Sequence, residues 1–487
     1  MTLLKKFKVI IILLSFIIAL FVRLEGFNQL LIDAYYFRQA HTATVARNFF
    51  QDGIDMLRVR LDWFGLGKEQ YLIQEFPVYQ AIVAGLSYIF GFSTQLARLV
   101  SIFFGLLAGL CLFVIMYFVS KDTLKSYLAL IFFWFFPLAI FVHHALMSES
   151  LNVFLHLVTI VVWLCFLRSE KIWIMLLFIP LAIVATIAKI TYGPFLLLFI
   201  VLLGLIYKGK TYYLKPQILL CFFIITLGTI YWQHSADSMN STSGNAFYTS
   251  QNPINLIWNM GYFSERLVFH TWQRRFGEIL GSITKISVLM SFIGVLALLR
   301  YKNKETYIFL GWLLIMVLYY LIFFRIQNHI YYFHIVTPVV AVLAAYGLET
   351  TFKKIRNLSK YGAYIFLLVF LLFFVYKGYH NSRGYFVPHK DVERKLGIMN
   401  QYLTIPGPMV LVFPVWDWHS VYTYYTGRKA IVITLEQLGD LDRYRQQGYA
   451  YVVFQDFSPG LIDQNVLKEN KLQLIHEDSG ILIAQLS

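Results

Sequence analysis

Long apolar runs separated by short polar joints dominate the chain from about residue 7 to residue 376. A membrane-crossing helix needs about 20 mostly apolar residues. The pattern predicts eleven such segments: 7–22, 97–119, 126–143, 151–167, 172–190, 193–207, 217–233, 283–299, 306–324, 335–348 and 361–376. A further stretch, 77–92 (PVYQAIVAGLSYIFGF), is long enough for a tilted span and equally suited to lying in the interface. Beyond about 378 the apolar runs shorten to MVLVF, AIVI, AYVVF and GILIA, separated by helix-like stretches such as LEQLGDLDRYRQQG. That alternation predicts a small α/β domain over 378–487, following a transmembrane domain over 1–377. The tail carries neither a Gly-rich phosphate fingerprint nor an evident catalytic triad.

Composition agrees with this division. The chain is 59% hydrophobic and 14% charged, against about 45–50% and about a quarter for soluble domains. Its net charge of +15 suggests nucleic acid less than membrane orientation, because basic residues beside apolar segments favour the cytoplasmic side. If 77–92 does not cross, KKFK, SKDTLK, RSEK, YKGKTYYLK, RYKNKE and TFKKIRNLSK all fall on the amino-terminal side. If it crosses, the basic loops after it move to the other side. The expectation is therefore eleven spans, the amino terminus inside, and 77–92 re-entrant or interfacial. Segments 23–96, 234–282 and the tail are then external. The basic, apolar amino terminus is followed by RLEG, with no small-residue cleavage site, and reads as an uncleaved first helix. Cys111, Cys165 and Cys221 lie inside apolar segments and offer neither a disulfide framework nor a zinc spacing.

Ionisable residues gather at the external ends. DAYYFRQAHTA opens the first loop with Asp33, a good helix N-cap. Arg38, His41 and Thr42 follow at spacings that share one helical face. Glu75 stands in LIQEFPVYQ before the ambiguous segment, and FVHHALMSESLN carries His143, His144 and Glu149. For Glu149 the ordinary role is to face the positive end of the next helix. Lys189, in AKITYGP, sits where a lysine can snorkel to water. FFRIQNHIYYFHIVTP adds Arg325, His329, Tyr331, Tyr332 and His334, and Arg266, His270 and Arg274 recur every four residues, a basic stripe if helical. Each residue has an ordinary structural use. Together they put carboxylates and permanent cations at one face of a helical bundle, and interfacial charge of this density marks function. Carboxylates suit proton abstraction or metal binding, and Arg and Lys suit phosphate.

These motifs resemble those of GT-C glycosyltransferases, in the group of protein O-mannosyltransferases and the lipid A aminoarabinose transferase. DAYYFRQAHTATVARNFFQDG is similar to that family's first external loop, with the acid at Asp33. IQEFPVYQA is similar to its second acid motif at Glu75, Pro77 and Tyr79, with Phe76 where a lysine is common. NHIYYFHIVTPVVAVLAAYGLE resembles its late external segment, aligning His329, Tyr331 and Tyr332. Ala34 stands in place of a second acid. ITYGP sets Lys189 three residues before the family's lysine position.

The resemblance implies a GT-C polytopic membrane protein with about 11 transmembrane helices, external juxtamembrane helices and the terminal α/β domain. It implies transfer of a sugar from a polyprenyl-phosphate donor, undecaprenyl phosphate if the source is bacterial, to an unidentified acceptor at the outer face of the plasma membrane. Asp33 is then the general base, with inversion at the anomeric carbon. Arg38, Lys189, Arg325 and His329 are candidates for the donor phosphate. His41, Glu149, Tyr331, Tyr332, Arg266 and His270 are candidates for the substrates. Glu75 either joins Asp33 in holding a divalent metal or fixes a substrate hydroxyl. Two other readings stay open: a transporter or flippase of a lipid-linked or anionic solute, and a polymerase or ligase using a pyrophosphate-linked donor.

Overall fold

A computed structural model describes residues 3–64, 71–414, 420–457, 462 and 464–486. All eleven apolar segments expected to cross form helices. Among the described residues, six helices are long and apolar enough to cross a membrane singly. A seventh arises if Phe269–Ile283 and Lys285–Arg300, bent by 95°, count as one. Others are shorter than the eleven-span expectation supposed. Thr123–Phe135 stops where Pro137 starts a new short helix, Pro137–Val142, and Ile172–Ala188 and Gly193–Lys208 stay below 18 residues. A proline ring removes a backbone donor and breaks the helical ladder, which accounts for the first interruption.

Contacts between loops establish which ends lie together. Lys125 pairs with Glu305 at 3.4 Å, Glu170 pairs with Lys208 and with Lys215, and Lys304 lies 5.6 Å from the Tyr207 ring centroid. The basic loops at 120–125, 168–171, 207–215 and 300–305 therefore share one end of the bundle. Chain direction then puts Glu149, Lys189 and residues 323–336 at the opposite end. Helix Val78–Phe90 does not break this parity. The Tyr79 hydroxyl bonds Ala97 O at 2.7 Å in the first turn of Thr94–Ser120, and the Tyr88 hydroxyl bonds Phe49 O at 3.0 Å. It runs along the same end and exposes Tyr88, Ile89 and Phe90, as an interfacial segment should.

Helices Lys285–Tyr301 and Thr337–Leu358 cross in backbone contact. A Cβ on Gly294 would overlap the Leu343 carbonyl, and one on Gly347 would overlap Met290 O. Small residues permit this approach where lipid supplies no hydrophobic drive for helix association.

At the site's end lies a six-stranded sheet of order β1-β3-β2-β4-β6-β5, with β1 Trp63–Phe64, β2 Met409–Phe413, β3 Ala430–Thr434, β4 Tyr451–Gln455, β5 Leu472–Asp478 and β6 Ile481–Leu486. The first four are parallel, and β6 runs antiparallel to β4 and to β5. Two features revise the expected boundary at 378. Helix Lys360–Ser382 runs past it, and β1 belongs to the first external loop. One hydrophobic core takes Ile32, Val45, Phe49 and Trp63 from that loop with Val392, Met399, Leu411 and Val453 from the tail. The sheet and the loop thus fold as a joint layer. Residues 65–70 of this loop lie outside the described residues.

Candidate active site

The first-loop helix Tyr36–Asp52 carries most of its length buried. Asp33 does not cap it. The helix starts after Tyr35, which sits in the left-handed region at φ 57°, and no side chain caps its first turn. The Asp33 carboxylate instead accepts from Gln29 Nε2 at 2.7 Å on one oxygen and from Gln39 Nε2 on the other. Asp33 is fully buried. Its surroundings are tied to the tail: Leu31 N donates to the Tyr425 hydroxyl at 2.5 Å, Ala34 N to Tyr385 O, and His389 N to Ile32 O. Arg98 Nη1 reaches the carbonyls of Gly26, Phe27 and Gln29 and holds the approach to Asp33 in one shape. Burial pushes the Asp33 carboxyl up to about 6, against the pull of Arg98 and the two glutamine amides.

A second cluster is built from four charges. Arg38 Nη2 meets Glu75 Oε2 at 2.5 Å, Lys189 pairs with Glu75 Oε1, and Lys189 Nζ meets Glu149 Oε1 at 2.9 Å. The Ser148 hydroxyl adds a bond to Glu75 Oε2 at 2.9 Å. Lys189 is 2% exposed, so it does not snorkel. It ends helix Ile172–Ala188 and turns inward to two carboxylates. Glu149 begins helix Glu149–Ser169 and so combines the helix-end role with an ion pair. Burial would raise Glu75, but Arg38 and Lys189 outweigh it and take it down to about 2. The two acids are therefore in opposite states of tuning. Two cations hold Glu75 as its anion, whereas burial raises the Asp33 carboxyl to about 6.

The aromatic segment closes over this cluster. Lys189 Nζ lies 4.4 Å from the Tyr332 ring centroid and 6.0 Å from that of Tyr331. Tyr35 meets Tyr331 edge-on at 4.8 Å, and His329 stacks on Tyr331 at 5.7 Å. His41 is buried, and burial together with Arg38 lowers its pKa to about 3, so it stays neutral here. His329 is likewise lowered by burial, then by Arg38 and Lys189.

Other candidates are directed elsewhere. Arg325 pairs with Glu265 and lies over Tyr262. The Arg266 guanidinium binds the carbonyls of Met260, Tyr262, Leu321 and Ile322. His270 is exposed. The expected stripe of 266, 270 and 274 is broken because the chain is extended at Val268, between the short turn Phe263–Leu267 and helix Phe269–Ile283. Both oxygens of the Asp33 and Glu75 carboxylates accept protein donors, and two of Glu75's donors are cations. No group of three or more His, Cys, Asp or Glu side chains among the described residues is arranged to hold a metal.

Gln29, Gln39, Ser148 and Arg98 were not among the residues expected from sequence. Gln39 lies within the DAYYFRQAHTA stretch, six residues after Asp33, and Arg98 was a charge one turn inside an apolar helix, itself a signal.

Neither a family model nor a curated protein matches the sequence. Solved structures share the fold. ArnT from Cupriavidus metallidurans superposes with a TM-score of 0.69 in its apo state and 0.65 bound to undecaprenyl phosphate, at 13% identity over 97% of both chains. The archaeal oligosaccharyltransferase AglB from Archaeoglobus fulgidus, in complex with an inhibitory peptide and a dolichol-phosphate, gives 0.60 at 13% identity over 93% of this chain and 70% of that one. AglB in complex with Zn and sulfate gives 0.57 at 12% identity, over 91% and 68%. The chain has the GT-C fold.

Proposed function

We propose that this GT-C chain is a membrane glycosyltransferase that moves a sugar from a polyprenyl-phosphate donor to an acceptor hydroxyl. The observation that carries the proposal is the pairing of a buried acid held by neutral amides, Asp33, with a separate buried cluster holding Arg38 and Lys189. Such a division matches the reaction's two needs. The acceptor loses a proton, and the leaving phosphate requires positive charge rather than a protonating acid.

In this mechanism the acceptor oxygen attacks the anomeric carbon through an oxocarbenium-like state. The bond from that carbon to the phosphate oxygen breaks, and the lipid phosphate leaves with the electron pair. Asp33 takes the hydroxyl proton. One displacement inverts the anomeric centre. Arg38 and Lys189 hold the phosphate, Arg38 through its planar fork. Glu75 and Glu149 keep these cations in place and neutral in sum until the donor arrives, so the donor anion displaces Glu75 from part of its contacts. Tyr331 and Tyr332 present faces on which a sugar can stack, with His329 beside them. Arg325, engaged by Glu265, is outside this phosphate set, and no step is routed through a metal.

ArnT binds undecaprenyl phosphate and AglB a dolichol-phosphate, which supports a lipid-phosphate carrier for this chain. The basic end of the bundle faces the cytoplasm in this proposal, with the site and tail external. A transporter would place its charges mid-span, whereas Lys189 closes a helix and Glu149 opens one. The test is purified protein in liposomes with a panel of undecaprenyl-phosphate pentoses and hexoses and candidate acceptors. Release of undecaprenyl phosphate with sugar recovered on an acceptor is expected. Movement of intact donor across the bilayer without bond cleavage would favour the transport reading instead.

A further inference from the structure

Gln39 joins two parts of the site that no ion pair connects among the described residues. It is fully buried. Its Nε2 donates to the Asp33 carboxylate and to Ala34 O at 2.9 Å, and its Oε1 accepts the Leu146 N–H at 3.1 Å. A flipped amide would set its oxygen against a carboxylate and its nitrogen against a donor, so the partners admit one orientation. Leu146 belongs to the turn before helix Glu149–Ser169. That turn supplies Ser148 to Glu75, and the helix supplies Glu149 to Lys189. One residue before Gln39, Arg38 reaches Glu75. Successive side chains project about 100° apart around a helix, so this first turn sends one residue to each half of the site.

The donors to the Asp33 carboxylate are neutral. They are Gln29 and Gln39, and the nearest full charge acting on it is Arg98. An anion held by so few groups depends strongly on each of them. Gln29 is only partly buried, which leaves Gln39 as the internal support.

We propose that Gln39 is a positioning residue that fixes the Asp33 carboxylate, as its anion, in register with the turn carrying Ser148 and Glu149. The proposal rests on the reading of Asp33 as the base. Burial pushes that carboxyl up to about 6, and Arg98, Gln39 and Gln29 oppose the rise. Removing the Gln39 amide withdraws support from the charged form alone, so the midpoint moves upward.

The experiment uses Gln39→Met, which keeps length and volume without hydrogen bonds, in the full chain reconstituted in liposomes. Isotope-edited infrared titration with carbon-13 aspartate follows the Asp33 carboxyl, identified as the band lost in Asp33→Asn. The band midpoint is expected to rise by about one pH unit in Gln39→Met. Release of undecaprenyl phosphate from undecaprenyl-phosphate sugars should show its acid limb moving by the same amount, with kcat lowered and the donor KM held within about twofold. An unmoved midpoint overturns the proposal, even if activity falls. Should Gln39→Met not fold, Gln39→Asn, which keeps the amide but shortens its reach, should move the midpoint the same way by a smaller amount, and a fixed midpoint there overturns it as well. A shifted band alongside undiminished transfer by Asp33→Asn would sink the base reading while leaving Gln39's hold on the carboxylate intact.

Discussion

Arg38 Nη2 and Glu75 Oε2 meet at 2.5 Å, and this ion pair ties the first-loop helix to the acid that precedes helix Val78–Phe90. Lys189 and Glu149 complete the group, giving two cations and two anions away from solvent. Under the proposed function, a group balanced in this way takes up the donor phosphate by exchange of partners rather than by filling a positive vacancy.

Arg38→Ala should therefore act on the donor. A charge-assisted hydrogen bond to phosphate contributes about 1.5–3 kcal/mol, so the donor KM is expected to rise about 10- to 100-fold. The acid limb of the rate profile should stay where it is, because Asp33 takes its principal charge interaction from Arg98. Initial rates against donor concentration at several pH values check both parts. An effect confined to acceptor KM would remove Arg38 from the phosphate site.

Among the described residues, Lys189→Met leaves Glu75 with Arg38 and the Ser148 hydroxyl, and Glu149 with no cation in contact. Breaking a buried pair by removing one partner costs about 3–5 kcal/mol. The variant should melt well below the parent in detergent, and Lys189→Met/Glu149→Gln should recover part of the loss. Equal melting of the single variant and the parent would show that the carboxylates are not held as described.

Much of this arrangement was legible beforehand, for reasons that differ by residue. Hydropathy marks lipid-facing helices directly, and charge parity kept Val78–Phe90 on one end of the bundle. The tail's strands followed from short apolar runs, because β-rich cores leave that period in sequence. Strand β1 did not, since two residues, Trp63 and Phe64, are too few to carry a period. Asp33, Arg38, Glu75, Glu149 and Lys189 stood out as ions beside lipid. Which ion meets which depends on folding: Lys189 and Glu75 are 114 residues apart in sequence. The side chains that hydrogen-bond the Asp33 carboxylate are glutamines, and a neutral amide raises no alarm until its partners are in view. Arg325 is a phosphate candidate by sequence and Arg266 a substrate candidate, and only their local partners, Glu265 and a set of backbone carbonyls, direct them elsewhere.

Stability should depend on pH with opposite signs at the two acids. The folded-state pKa of Asp33 is raised, from 3.8 to about 6. Its contribution to stability is thus full below 3.8 and lost as pH rises through about 6. Glu75 is lowered, from 4.5 to about 2, so its contribution is full above 4.5 and lost as pH falls towards about 2. Asp33→Asn removes only the first dependence. Melting temperatures of parent and variant should diverge between about pH 4 and pH 7, the variant gaining on the parent as pH rises. Parallel curves across that window would contradict the raised pKa.

The most direct measurement is sugar transfer by Asp33→Asn, with insertion and folding verified and the undecaprenyl-phosphate donor saturating. A positioned general base contributes about 10²- to 10⁴-fold. The prediction is a loss of that size in kcat, with donor binding retained through Arg38 and Lys189. Transfer at the parent's rate would contradict the account, since the proposed mechanism gives the acceptor's proton to Asp33.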